Sequence, residues 1–445
     1  MKNIKKLLLL SLVMFPSIVN ASDITKDTVI TSNGSNLSKL VDANYKTYLN
    51  VKKGQVINIK NEKNLIDGIY IEYELKGYKA TLKYDNETMN TGENNFVHEY
   101  IKLDKETNNI DITYNENAII SDIYVLSKGD LPDYIQNWNK PCSEADLMLF
   151  TTHADDEQLF FLGLMPTYVD RGMNVQVVYL ADHSDNQKRI HEQLNGLWTV
   201  GIRNYPVLGV IPDAYSESLE GAINNLKKAN LDQEDVIKFQ VEMIRRFKPL
   251  VIVGHDIKGE YSHGQHILNT DSLIKSIELS NDSNYYSDIK YDLWEAKKVY
   301  LHLYEKNQII MDYDTPLKNF NGKTAYEVSK EGYKKHESQQ WTWFTKWING
   351  KNNEYTKSTD ITKYSPNQFG LYKTTVGEDV NKNDMFENIV LRKDEVKETP
   401  KEEKKNNTKE ISTKKDDKLN YIYIAIPIVV LAGIVIFIVK RNIRK

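Results

Sequence analysis

The sequence predicts an α/β, Rossmann-like domain built on a mostly parallel sheet with helices on both faces, preceded by a β-sandwich and followed by a transmembrane helix. Three observations predict it. Apolar, β-branched runs at 146–151 and 249–254 are too continuous for strands wetted on one side and read as strands covered on both faces. Between Ser22 and Ser127 the chain instead alternates apolar and polar residues in short runs broken by Asn, Gly and Asp. Near the other end, 421–439 is an almost unbroken apolar run that as a helix would span about 28 Å, close to the hydrocarbon thickness of a bilayer.

The elements follow in order. A basic start, an apolar core and a small-residue site at Val19-Asn20-Ala21 make residues 1–21 an expected secretory signal peptide. Residues 22–130 form the sandwich, with strands expected at 55–59, 68–73, 80–84, 110–114 and 119–125. The stretch Leu40 to Tyr48 loosely resembles the opening of discoidin-like jelly rolls, which implies a carbohydrate-binding module; a merely structural partner domain fits as well. Residues 131–142 connect, with Trp138 expected between domains, and 143–391 form the α/β domain. Residues 392–420 are rich in Lys, Glu, Asp, Asn and Thr and lack aromatics, so they read as a disordered stalk. Basic residues at 440–445 follow the apolar run, and the positive-inside rule would keep them cytoplasmic with the α/β domain outside.

Composition narrows the function classes. A formal charge of −4 and mixed signs in the stalk leave no basic footprint, which disfavours nucleic acid as a partner. The single cysteine, Cys142, excludes an intramolecular disulfide and reads as a small buried residue.

The chemistry concentrates in two short segments. His153-Ala154-Asp155-Asp156-Glu157 follows the first buried strand, and His263-Gly264-Gln265-His266 lies just beyond the strand ending at Gly254. Ligand sites in open α/β sheets sit at such carboxyl ends. Eight of the nine histidines fall between His153 and His336. A catalytic Zn2+ takes three His or carboxylate ligands and keeps one position for water, a demand that His153, Asp156 and His266 meet. Asp155 is then free to act as general base, and His263 to stabilise the oxyanion or protonate the leaving nitrogen. Together these parts describe hydrolysis of an amide by attack of a zinc-bound water. Alone, an Asp-Asp-Glu run is helix capping and a His-x-x-His pair is unremarkable; the combination behind two buried strands favours a metal site.

These residues resemble the hallmarks of the PIG-L (LmbE-like) family of zinc-dependent de-N-acetylases, with Arg189-Ile190-His191-Glu192, Gly259-Glu260-Tyr261-Ser262-His263 and His336-Glu337-Ser338-Gln339 matching further elements across about 143–350. The resemblance implies the same five roles for His153, Asp156, His266, Asp155 and His263. Ala154 stands where the family usually has proline, which should loosen the loop without removing a ligand. Four further residues are candidates for substrate binding. Tyr261 reads as an oxyanion donor or a packed aromatic; Asp182 and His183 as pocket-lining or ordinary loop residues; Arg189 as a partner of Glu192 or a holder of substrate. His336 reads as a structural hydrogen-bonding residue near the rim, and Trp341, Trp343, Phe344 and Trp347 as packing or a sugar-stacking platform. The expected activity is removal of N-acetyl groups from amino sugars of a cell-surface or secreted glycan. A surface glycan-binding protein with an inactive deacetylase-like domain is the alternative, and a metal phosphoesterase a weaker third.

Overall fold

The computed structural model describes residues 21–33 and 35–392. Ten short strands come first: β1 (Val29–Ser32), β2 (Ser35–Asn36), β3 (Leu49–Val51), β4 (Val56–Lys60), β5 (Ile66–Tyr73), β6 (Ala80–Tyr84), β7 (Glu87–Thr91), β8 (His98–Thr107), β9 (Asn109–Tyr114) and β10 (Ala118–Leu126). They form a six-stranded sheet, β2-β1-β4-β9-β6-β7, and a four-stranded sheet, β3-β10-β5-β8. Alternation makes the sandwich: Ile57, Ile59, Leu82, Ile110 and Ile112 from one sheet share a buried core with Ile69, Ile71, Ile101 and Val125 from the other. The periodicity over 55–125 misses β7 and β8, because charged residues such as Glu99, Lys102 and Asp104 interrupt the apolar run of β8.

The remaining strands are β11 (Leu147–Thr151), β12 (Val175–Tyr179), β13 (Ala181–Asp182), β14 (Ile211–Pro212), β15 (Val251–Gly254), β16 (Lys298–His302), β17 (Gln308–Ile310) and β18 (Gln368–Thr374). The helices are α1 (Leu164–Asp170), α2 (Gln187–Thr199), α3 (Leu219–Lys228), α4 (Gln233–Phe247), α5 (Gly264–Leu279), α6 (Ala325–Lys334) and α7 (Phe344–Asn349). The main sheet runs β12-β11-β15-β16-β18-β17. Its residues divide between two cores: Leu147 and Leu149 pack with residues of α1, α2 and α6, whereas Met148 and Phe150 pack with α4 and α5. This two-sided cover explains why β11 is buried throughout.

Three expectations need correction. The sheet is mixed: β12, β11, β15 and β16 pair in parallel, but β18 runs antiparallel to β16 and to β17. This strand comes from the segment 352–390, whose sequence reads as loops and short strands. The apolar run from Gln158 to Leu164 reads in sequence as the opening of a helix, but α1 starts only at Leu164, after Gly163 at φ 82° ends a series of turns. Among the described residues no helix is long and apolar enough to cross a membrane. The longest, α5 with 16 residues, would span about 24 Å and carries Gln265, His266, Asn269 and Asp271. Among the described residues the fold is a β-sandwich and a mixed α/β domain, and the expected transmembrane helix, with the single-pass placement and membrane partner that rest on it, finds no support there. The segments 1–20 and 393–445, which carry the signal-peptide, stalk and transmembrane expectations, lie outside the described residues.

Candidate metal centre

The turn after β11 and the first turns of α5 meet at the carboxyl edge of the sheet, tied by a hydrogen bond from Asn269 Nδ2 to Thr152 Oγ1 (2.9 Å). Three buried donor atoms converge there. Asp156 Oδ2 is 3.0 Å from His153 Nδ1 and 3.1 Å from His266 Nε2, and the two nitrogens are 3.2 Å apart. Tetrahedral ligation with bonds of about 2.0–2.1 Å would separate donors by roughly 3.3 Å.

The hydrogen bonds around this triangle set which atoms face it. Gln265 Nε2 donates to the Pro212 carbonyl, so its Oε1 accepts from His153 Nε2 at 3.0 Å and leaves Nδ1 bare in the neutral ring. His266 Nδ1 donates to Glu260 Oε2 at 2.8 Å, which turns Nε2 toward Asp156. Burial opposes a charge on His266, but Asp156 and Glu260 outweigh it and hold the ring up to about 10. Two buried carboxylates thus demand positive charge at the triangle. His255 Nε2, buried and without a hydrogen-bond partner, lies 3.8 Å from Asp156 Oδ2 and adds another donor. The set fits a divalent cation of zinc type.

Glu260 is the hub beneath the centre. Its carboxylate accepts from His255 Nδ1 (2.8 Å), His266 Nδ1 (2.8 Å), His302 Nδ1 (2.6 Å) and the Asp256 amide (3.2 Å). Burial would raise its pKa, yet the neighbouring rings hold it well below the usual range. Such partners orient a ligand imidazole and raise its basicity. Ligand-spacing arguments miss Glu260, His255 and His302; the available signal was two more histidines, one just after β15 and one at the end of β16.

Asp155 stands beside the triangle at φ 143°, a conformation unusual for a residue with a side chain. Its amide donates to Glu157 Oε2 (2.9 Å), and Glu157 Oε1 in turn pairs with His336 Nε2 (3.0 Å). Burial pushes the Asp155 carboxyl up to about 6 against the opposing Arg189 guanidinium. Arg189 lies 3.5 Å from Asp155 but 4.0 Å from Glu192, so the i, i+3 spacing does not decide its partner. Glu192 instead accepts from the amide and hydroxyl of Ser338, both at 2.6 Å. His336 is fully buried, not at a rim.

His263 caps α5: its Nδ1 accepts from the Gln265 amide (3.2 Å), which places the proton of the neutral ring on Nε2. Burial and the neighbouring His153 push this ring down to about 2, so it stays neutral. His183 is buried and its Nε2 accepts from the Ala154 amide (3.2 Å). The familial proline at this position would have no N–H to give, so the alanine carries a restraint of its own. Asp182 is taken up by an Asx turn to Ser184 (2.8 Å) and points to no other group of the site. Asp213, which the sequence did not flag, lies 3.6 Å from His153 Nε2 and 3.7 Å from His183 Nδ1.

Tyr261 packs edge-on against His263 and His266, with ring centres 5.5 and 5.6 Å away, and against Trp343 at 5.9 Å. Trp341 and Trp343 are exposed, whereas Trp347 is buried in the core. A cavity of about 1170 Å³ lies between sandwich, connector and α2, and none of the residues predicted for the site lines it.

Residues 148–277 match the model of the PIG-L family, described as GlcNAc-PI de-N-acetylase. A 1D-myo-inositol 2-acetamido-2-deoxy-alpha-D-glucopyranoside deacetylase of Geodermatophilus obscurus is 26% identical over 177 residues, covering 35% of this chain and 60% of that protein. The chain thus spans under two thirds of the length of the curated relatives it matches. Among solved structures, N,N'-diacetylchitobiose deacetylase from Pyrococcus horikoshii is 17% identical with a TM-score of 0.37, covering 52% of this chain and 85% of its own. The family 32 CBM from C. perfringens NanJ, in complex with galactose, is 17% identical with a TM-score of 0.20, covering 24% of this chain and 99% of its own.

Proposed function

We propose that this chain is a zinc-dependent N-deacetylase acting on a substrate that contains N-acetylglucosamine. The observation that carries the reading is the convergence of His153 Nδ1, Asp156 Oδ2 and His266 Nε2 within 3.2 Å of one another, in the segment that matches the PIG-L family, with Asp155 alongside. A zinc ion held by these three would acidify water and polarise the amide carbonyl. Asp155 accepts the proton of the attacking water, and its strained turn, braced through Glu157 and His336, keeps its carboxylate from ligation. The neutral His263 offers Nε2–H to the developing oxyanion or to the leaving nitrogen. Arg189 sits within 3.5 Å of Asp155, so it biases that carboxylate toward the charged, proton-accepting form and is a positioning residue. Tyr261, with Trp343 beside it, forms a wall on which a pyranose ring can rest.

The test is acetate release from N-acetylglucosaminides by zinc-loaded protein, beside Asp155→Asn. Release by the parent and a loss of at least about a hundredfold in the variant is expected, within the range for general-base catalysis. A folded, zinc-loaded parent that releases no acetate overturns the reading.

A further inference from the structure

The ninth histidine, His98, lies outside the stretch from His153 to His336 that holds the other eight. It lies on β8 of the sandwich and pairs across the antiparallel register with Glu72 of β5, so both side chains leave the same face of the sheet. That face is the outer one: Ile69, Ile71 and Tyr73 fill the sandwich core, while Glu72 and His98 point the other way. There they meet His191 of α2 in the α/β domain. The ring nitrogens His98 Nε2 and His191 Nδ1 are 2.7 Å apart, and a carboxylate oxygen of Glu72 lies within 4.8 Å of a nitrogen of each.

The surrounding hydrogen bonds strip both facing nitrogens of protons. Gln136 Oε1 accepts from Trp138 Nε1 (2.9 Å), which fixes the amide orientation, so His98 Nδ1 must be the donor to that same oxygen at 2.7 Å. His191 Nε2 faces the Glu74 carbonyl at 3.1 Å and must donate to it. Two bare lone pairs 2.7 Å apart repel unless something positive lies between them. Both rings are fully buried.

We infer that Glu72, His98 and His191 form a second metal site, separate from the catalytic centre, that takes a divalent cation of the zinc class and ties the sandwich to α2. Two imidazoles and one carboxylate are a donor set such cations accept, with water completing the shell. Glu72 is only half-buried and lines the 1170 Å³ cleft, so a cation can enter there and the carboxylate can swing in to close the remaining gap. The site spans two domains, which makes its role structural: it fixes the face on which the sandwich presents itself to the α/β domain.

The experiment uses the full chain, stripped with chelator and reloaded with zinc alone, followed by metal analysis and a zinc titration. The parent should hold two equivalents, and the double variant His98→Asn, His191→Asn one, with acetate release retained. Glu72→Gln keeps the histidine pair and the packing, so it guards against loss of fold in the double variant. It should weaken one of the two zinc affinities at least tenfold and leave the other unchanged. Zinc content and both affinities unaltered by Glu72→Gln would overturn the inference and leave a shared proton between the rings. Failure of acetate release in the parent would bear only on the catalytic reading.

Discussion

Replacing Glu260 by glutamine tests whether the catalytic centre is held from beneath. The substitution keeps shape and removes one acceptor. In the structure Glu260 Oε2 accepts from His255 and His266, and Oε1 accepts from His302 and the Asp256 amide. Whichever way the new amide turns, its NH2 faces two donors. His302 cannot simply exchange its proton between nitrogens, because Nε2 already donates to the Ser365 carbonyl at 3.0 Å. Each lost bond to a charged acceptor costs about 1.5–3 kcal/mol, so the metal-free protein should lose roughly 3–6 kcal/mol. The share that falls on His266 appears as metal affinity, where loss of such a partner costs about 10–100-fold, or about 1.4–2.7 kcal/mol. Zinc titration against a competing chelator reads the affinity, and denaturant unfolding of the metal-free protein reads the stability. A Glu260→Gln protein that binds zinc within threefold of the parent would refute the reasoning, since His266 would then need no orientation from Glu260.

Other outcomes follow from the same geometry. His183→Leu removes the acceptor of the Ala154 amide and should lower kcat about tenfold while zinc content stays unchanged; a loss of zinc instead would make His183 part of the ligand system. Gly163→Ala forces a Cβ to φ 82° and within 2.3 Å of the Tyr313 ring, so unfolding measurements should show a loss of about 2–4 kcal/mol from strain and overpacking. Burial, with Asp42 nearby, pushes Asp122 up to about 7 in the folded sandwich. The folded state therefore binds more protons than the unfolded one between about pH 4 and 7, and stability should fall as pH rises through that window. Asp122→Asn should flatten this slope, and an unchanged slope would assign it to other groups.

How much was legible in the sequence depends on whether the information is local or long-range. Strand periodicity placed β4, β5, β6, β9 and β10 within two residues, because burial of alternate side chains is a property of a single strand. The segments His153 to Glu157 and His263 to His266 were visible because each is contiguous and follows a buried strand. Partners recruited from distant segments were not: Arg189 turns to Asp155 although Glu192 is closer in sequence, and His336 reaches Glu157 from 179 positions away. The direction of β18 was also hidden, since antiparallel pairing with β16 is decided by which edge of the sheet lies open when that segment arrives. The sequence by itself determined a series of alternating strands, a buried sheet and which residue types could bind a metal. Only the tertiary structure decided that Glu260 gathers three histidines, and that His98 and His191 meet across a domain boundary. Such meetings depend on the relative placement of whole elements, which no local pattern encodes.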